Sequence, residues 1–318
     1  MSIDDLYDFQ QELAHGRYAS IYRGKRKRIS GNGYARHQYQ HHCALKVIDK
    51  NEFWGRVYNG RERVDTLVRE VAVQATLTSG DFQPFFVHIY GIFETAENFV
   101  LELEMLEGID LFRHVSSRTV LEENEAALIM RDILISLATT RRLGIAHRDV
   151  KLANILMCNN CANDISDVSV KLADYGMATF VGVDGLVRGR CGTPGYVAPE
   201  IFAAGTNCGY GNKVDLFSAG VIMYVLLCGY EPFYGETDAQ LIAANKAAVA
   251  EFDEFDWGNI SSDARDLVSR LLEINPDERI DAIEALRHPW IVQRAPPSKW
   301  MKQNSVRNTS KDDSCVIS

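Results

Sequence analysis

The octapeptide His147-Arg148-Asp149-Val150-Lys151-Leu152-Ala153-Asn154 gathers a carboxylate, an ammonium and an amide within one short run. Transfer of a phosphoryl group needs a carboxylate to orient the attacking hydroxyl and take its proton. It also needs a cation beside the moving group and oxygen ligands for magnesium. Asp149, Lys151 and Asn154 supply one of each, in an order and spacing that form a specific signature. Asp174-Tyr175-Gly176 follows the β-like run Val168 to Leu172, and Asp174 is expected to hold the magnesium that bridges the phosphates. On its own that tripeptide is a common surface turn. In Ala44-Leu45-Lys46 a strand presents an ammonium to the α- and β-phosphates, with Glu70 as the carboxylate that aims it.

These residues need a rigid frame. Phe9 to Ala14, Ser20 to Lys25, His42 to Val47, Val87 to Phe93 and Phe99 to Leu103 read as short strands between turn residues. A helical pattern from Val64 to Leu77 interrupts them and carries Glu70. From Asp110 onward the pattern is mainly helical. Thr119-Val-Leu-Glu122 has capping-box spacing and is expected to open a helix with Ala126, Ile129, Met130, Ile133 and Leu137 on its apolar side. Val214 to Cys228, apolar nearly all round, reads as a helix at the centre of a lobe. The fold class expected is α+β and bilobal: a small β-rich lobe with one helix, then a larger helical lobe.

With 318 residues, 46% hydrophobic and 24% charged, the chain has ample material for a core, which excludes a disordered or fibrous protein. A formal charge of −9 argues against nucleic acid as the main partner. The N-terminus has neither an export signal nor a glycine for myristoylation, so a cytoplasmic chain is expected. Seven cysteines then fit reduced thiols without disulfides. Cys158-Asn-Asn-Cys161 lacks a second pair and reads as a surface turn, and His37, His41, His42 and Cys43 as a polar strand entry.

Cys191-Gly-Thr-Pro-Gly-Tyr-Val-Ala-Pro-Glu200 lies downstream of the earlier elements, in chain order. Together these motifs resemble the eukaryotic protein kinase family, serine/threonine type, over about residues 7 to 292. Leu226-Leu-Cys-Gly-Tyr-Glu-Pro-Phe-Tyr-Gly-Glu236, Ile260-Ser-Ser-Asp-Ala-Arg-Asp-Leu267, Asn275-Pro-Asp-Glu-Arg279 and His288-Pro-Trp290 are similar to the calcium/calmodulin-dependent group. The resemblance implies ATP and Mg2+ as cofactors and protein substrates. It also implies a small lobe at 7–103, a hinge at 104–106 and a large lobe at 107–292. Leu103 would be the gatekeeper, with the Glu104 carbonyl and Leu106 amide meeting the adenine between Leu13, Ala44 and Leu156. Asp110 would reach the ribose. Glu200 and Arg279 would pair under the activation segment, and Asp215 would brace the catalytic loop.

The chain departs from that pattern in places. The phosphate-covering loop reads Ala14-His15-Gly16-Arg17-Tyr18-Ala19, keeping only Gly16 of three glycines. A methyl restricts φ and backbone approach to phosphate, so weaker nucleotide binding is expected. This loss raises the alternative of a pseudokinase scaffold that binds partners without turnover. From Phe180 to Gly192 there is no serine, threonine or tyrosine, so activity without activation-loop phosphorylation is expected. Arg148 would then lack its usual phosphate partner unless Asp184 or an external acid substitutes. Relatives often carry a glutamate where Ala153 stands, which puts a preference for basic substrates in doubt. Phe217 replaces a common tryptophan, a change of core packing, and residues 158–167 are extra chain.

Residues 293–318 read as a flexible tail ending in Cys315-Val316-Ile317-Ser318, the pattern for farnesyl transfer to Cys315. A peripheral attachment to a membrane through that lipid is expected, helped by basic residues in the tail. A second basic cluster, Arg17, Arg23, Lys25, Arg26, Lys27, Arg28 and Arg36, could press the small lobe onto anionic lipid. No EF-hand loop is present. Trp300 sits in a basic stretch, but Pro296-Pro297 and the lack of an apolar face argue against a calmodulin-binding helix.

Overall fold

Strand formers between polar turns build the first lobe. The computed structural model describes residues 3–16, 19–27, 42–79, 83–159, 168–203 and 208–297. Helix α1 (Ile3–Leu6) leads into β1 (Tyr7–His15), β2 (Ala19–Arg26) and β3 (His42–Asp49). Helices α2 (Lys50–Tyr58) and α3 (Thr66–Thr78) follow, then β4 (Ile89–Glu94) and β5 (Asn98–Glu104). The strands form one antiparallel sheet in the order β1-β2-β3-β5-β4.

Register sets the faces of that sheet, because direct antiparallel partners point to the same side. Ala14, Ile21, Lys46 and Leu101 stand opposite one another across four strands, and Arg23, Ala44 and Leu103 across three. This side looks into the crevice between the lobes. On the other side Tyr7, Cys43, Leu45 and Val100 are buried beneath Ile3 and Leu6. Burial pushes the Cys43 thiol up to about 12, and the nearby Glu102 carboxylate adds to the shift.

The helix α2 has no apolar periodicity to announce it. Its signal is local: the Asp49 side chain accepts from the Glu52 amide at 2.8 Å, an Asp-x-x-Glu cap that sequence inspection could have caught.

The second lobe comprises α4 (Leu111–Ser116), α5 (Glu123–Arg142), β6 (Ile145–Ala146), β7 (Ile155–Met157), β8 (Val170–Leu172) and β9 (Thr179–Phe180). Then come α6 (Pro199–Ala203), α7 (Val214–Cys228), α8 (Asp238–Ala247), α9 (Glu254–Trp257), α10 (Ser262–Leu271), α11 (Ala282–Leu286) and α12 (Pro289–Arg294). Helix α7 is buried at every position from Val214 to Leu227, as its composition requires. At Gly220 a Cβ would lie 2.8 Å from the Leu271 Cβ, so glycine lets α10 approach closely.

The capping box at Thr119 does not form. Thr119 is left-handed (φ 71°), and the α5 N-cap is Glu122, whose side chain makes no cap bond. Contacts with the end of α7 outweigh the local motif: the Leu121 amide donates to the Leu226 carbonyl at 2.9 Å. The Thr119 carbonyl also fills the space where a Cβ on Gly229 would stand.

Cys161, most of the extra chain at 158–167, His37, His41, Arg17, Arg28, Arg36, Trp300 and Cys315 lie outside the described residues. Among the described residues, no helix is long and apolar enough to cross a membrane.

Candidate active site

The sheet delivers Lys46 to the depth of the crevice. Lys46 on β3 donates through Nζ to Glu70 Oε1 at 2.5 Å and to Asp174 Oδ1 at 3.4 Å. Glu70 is buried on α3, and burial raises its pKa against the opposing pull of Lys46. The Lys46 charge does the reverse at Asp174, holding its carboxyl below the usual range although burial opposes this. Asp174 is left-handed (φ 59°) and half of its side chain is open to the crevice. The Gly176 amide donates back to Asp174 Oδ1 at 3.4 Å, closing the turn.

The loop at 147–154 is braced from below. Asp215 at the start of α7 accepts from the backbone amides of His147 (2.7 Å) and Arg148 (2.8 Å). Burial raises the Asp215 pKa, and His147 and these amides pull it down. That grip holds Arg148 left-handed (φ 66°) and presents Asp149 at the crevice floor. Both Asp149 oxygens are engaged: Oδ1 accepts from Thr193 Oγ1 at 2.6 Å, while Oδ2 faces Lys151 Nζ at 2.9 Å and Asn154 Nδ2 at 3.1 Å. Lys151 also donates to Thr193 Oγ1 at 2.9 Å. A hydroxyl is therefore already held between a carboxylate and an ammonium. The Asn154 amide nitrogen is committed to Asp149, which leaves its amide oxygen for a cation.

Above this floor, Ala44 and Leu103 lie opposite each other on the crevice face, while Leu13 on β1 and Leu156 on β7 are half-buried. Ile21 belongs with them, since it pairs with Lys46 and shares its face. Sequence inspection missed Ile21 because only strand register assigns it to that side. The Leu106 amide makes no hydrogen bond within the described residues and can donate to a ligand. The Glu104 carboxylate accepts from Lys171 Nζ at 2.7 Å on both oxygens, tying the end of β5 to β8. Asp110 caps α4 by accepting from the Arg113 amide at 2.9 Å.

The phosphate-covering loop differs from expectation in one physical respect. Neither Ala14 nor Ala19 is left-handed, so their methyls cost nothing in φ. The Gly16 amide donates to the Ala19 carbonyl at 2.7 Å.

Residues 7–291 match the protein kinase domain family. The chain is 32% identical to myosin light chain kinase A of Dictyostelium discoideum, over 96% of this chain and 92% of that protein. It is 34% identical to the probable serine/threonine-protein kinase fhkE of the same organism, over 78% of this chain and 34% of that protein. Human calcium/calmodulin-dependent protein kinase type IV is 32% identical over 92% of this chain and 56% of its own length.

The chain belongs to the protein kinase family, among the serine/threonine kinases. The scaffold alternative finds no support in relatives that are themselves named as kinases.

In this kinase the activation segment is tied down by contacts to its own backbone and to Arg148. Asp184 does not take the place of a phosphate, because its Oδ2 accepts from Arg188 Nη2 at 2.5 Å and the acid is spent locally. Arg148 instead donates through Nε to the Met177 carbonyl at 2.7 Å and through Nη1 to the Arg188 carbonyl at 3.2 Å. Val187 and Tyr210 exchange backbone hydrogen bonds of 2.8 and 2.9 Å, and the Tyr210 hydroxyl donates to the Gly189 carbonyl at 2.8 Å. Beneath the segment, Arg279 grips both Glu200 oxygens at 2.6 and 3.0 Å. Phe217 does more than fill space: the Arg279 guanidinium lies 5.1 Å from its ring centre.

Proposed function

We propose that this kinase transfers the γ-phosphoryl of ATP to serine or threonine hydroxyls of proteins. The observation that carries the reading is the convergence on one crevice of Lys46, aimed by Glu70 and next to Asp174, with the Asp149, Lys151 and Thr193 triangle. Lys46 anchors the α- and β-phosphates. Leu13, Gly16, Ile21, Ala44, Leu103, Glu104, Leu106, Asp110 and Leu156 receive the nucleoside.

The open Asp174 carboxylate, kept ionised by Lys46, and the free Asn154 amide oxygen form a hard oxygen donor set suited to Mg2+. When bound there, magnesium supplies positive charge that offsets the phosphates. Asp149 orients the substrate hydroxyl and takes its proton, and Lys151 lies beside the departing phosphoryl. Thr193 already models how an alcohol fits between those two groups.

The test compares wild type with Asp149→Asn under labelled ATP and a protein mixture. Loss of a positioned base should lower kcat by about 10²–10⁴-fold. Equal incorporation would overturn the reading.

The proposal extends to location. Farnesylation of Cys315 would hold the kinase at a membrane, assisted by the tail's basic residues, since one lipid binds only marginally. The sequence pattern is its support. Unchanged membrane fractionation of Cys315→Ser would remove it. The absence of calmodulin binding has no comparable support, because a relative is named for dependence on calmodulin. Titration of the full chain with calcium and calmodulin decides that point.

A further inference from the structure

Two acids stand at the crevice mouth, on the segment between β5 and α4, and an arginine counters each of them. Glu107 Oε1 accepts from Arg23 Nη2 at 3.2 Å, and Arg23 lies on the crevice face because β2 sets it opposite Ala44. Asp110 caps α4, and its second oxygen stands 3.3 Å from Arg113 Nε. The Arg113 side chain remains 66% exposed, so donors of its guanidinium are left over at the rim.

Helix α4 packs on the turn at Leu152–Asn154, and within that turn the Ala153 side chain is exposed. On these two packed segments the Ala153 methyl and the Arg113 guanidinium are both exposed. Asp149 is also bordered by the segment Thr193–Tyr196, where the Gly195 amide donates to Asn245 of α8 at 3.2 Å. From the resemblance noted for position 153, the Ala153 and Arg113 side is the one upstream of the target hydroxyl.

We propose that this rim sets the substrate class: proteins whose residues upstream of the target hydroxyl are neutral or acidic. An upstream arginine would meet Arg113 as a like charge and find both nearby carboxylates already paired. An upstream glutamate gains the spare donors of Arg113. The inference rests on the kinase reading above and names the substrate of the same site.

The full chain, with Mg-ATP, is given serine peptides that differ only in carrying arginine, alanine or glutamate at single upstream positions. Glutamate should match or exceed arginine in kcat/KM at every position. Ala153→Glu should move the ratio toward arginine by about fivefold, the effect of one exposed ion pair, with KM for ATP unchanged. A wild-type preference for arginine of about threefold or more at any upstream position would overturn the proposal. Should Ala153→Glu fail to fold, the wild-type panel alone decides. Absence of incorporation into every peptide and into mixed protein would sink the kinase reading itself, an outcome distinct from arginine selection.

Discussion

Replacing Glu200 by glutamine tests whether the buried ion pair fixes the floor of the activation segment. Arg279 has no exposed side-chain surface and also donates to the carbonyls of Glu273 (2.8 Å), Lys213 (3.0 Å) and Ile274 (3.3 Å). Glutamine keeps the shape but leaves the guanidinium without its counter-charge. Removing one partner of a buried pair costs about 3–5 kcal/mol. Glu200 retains 16% side-chain exposure, which draws the expectation toward the lower end.

For a domain of about 280 residues, an unfolding entropy near 2.1 cal/mol/K per residue gives roughly 0.6 kcal/mol/K, so Tm should fall by about 5 °C. Calorimetry on wild type and Glu200→Gln at one pH and salt reads this directly. Glu200 also opens α6, on the same segment as Thr193, which Asp149 and Lys151 hold, so kcat should fall with little change in KM for ATP. A Tm within about 1 °C of wild type would refute the argument, since it would mean the carbonyls alone satisfy Arg279.

Restoring glycine at positions 14 and 19 together should lower KM for ATP only a few-fold, because neither backbone is left-handed, and a change of about 100-fold by steady-state kinetics would contradict this. Burial pushes the Asp132 carboxyl up to about 6, against the pull of Arg131. The folded state therefore holds its proton longer than the unfolded chain, and stability from this group is lost as pH rises from about 4 to about 6, by about 3 kcal/mol. The Tm deficit of Asp132→Asn relative to wild type should accordingly shrink over that window and stay flat above it, and a deficit that grows would reverse the assignment. Phosphatase treatment should leave activity unchanged, since Arg148 is satisfied by carbonyls; loss of activity with phosphate mapped to residues 180–192 would disprove it.

Side chains that act within a few residues of one another were readable from the chain alone. Asp149, Lys151 and Asn154 cluster because one tight loop carries all three, so spacing and geometry coincide. Lys46, Glu70 and Asp174 come from distant segments and were legible only as a set in chain order, through the family resemblance. Whatever depended on partners far along the chain stayed hidden. Ile21 faces the crevice because of strand register, and Thr119 abandons its capping role for the end of α7. Arg148 finds carbonyls where charge logic pointed to an acid. Asp184 was a reasonable candidate until Arg188, four residues on, claimed it.

The hold of Arg148 on main-chain oxygens has a consequence for how this segment can diverge. The clasp uses the Arg188 carbonyl and not its side chain, so the identity of residue 188 can change while the clasp persists, whereas Gly185 and Gly189 are left-handed (φ 78° and 93°) and Val187 is buried. What residues 182–190 cannot change is their number: one insertion would carry the Arg188 oxygen out of reach and slip the Val187 and Tyr210 pairing along with it. At residue 188 the clasp depends on place along the chain and not on the side chain.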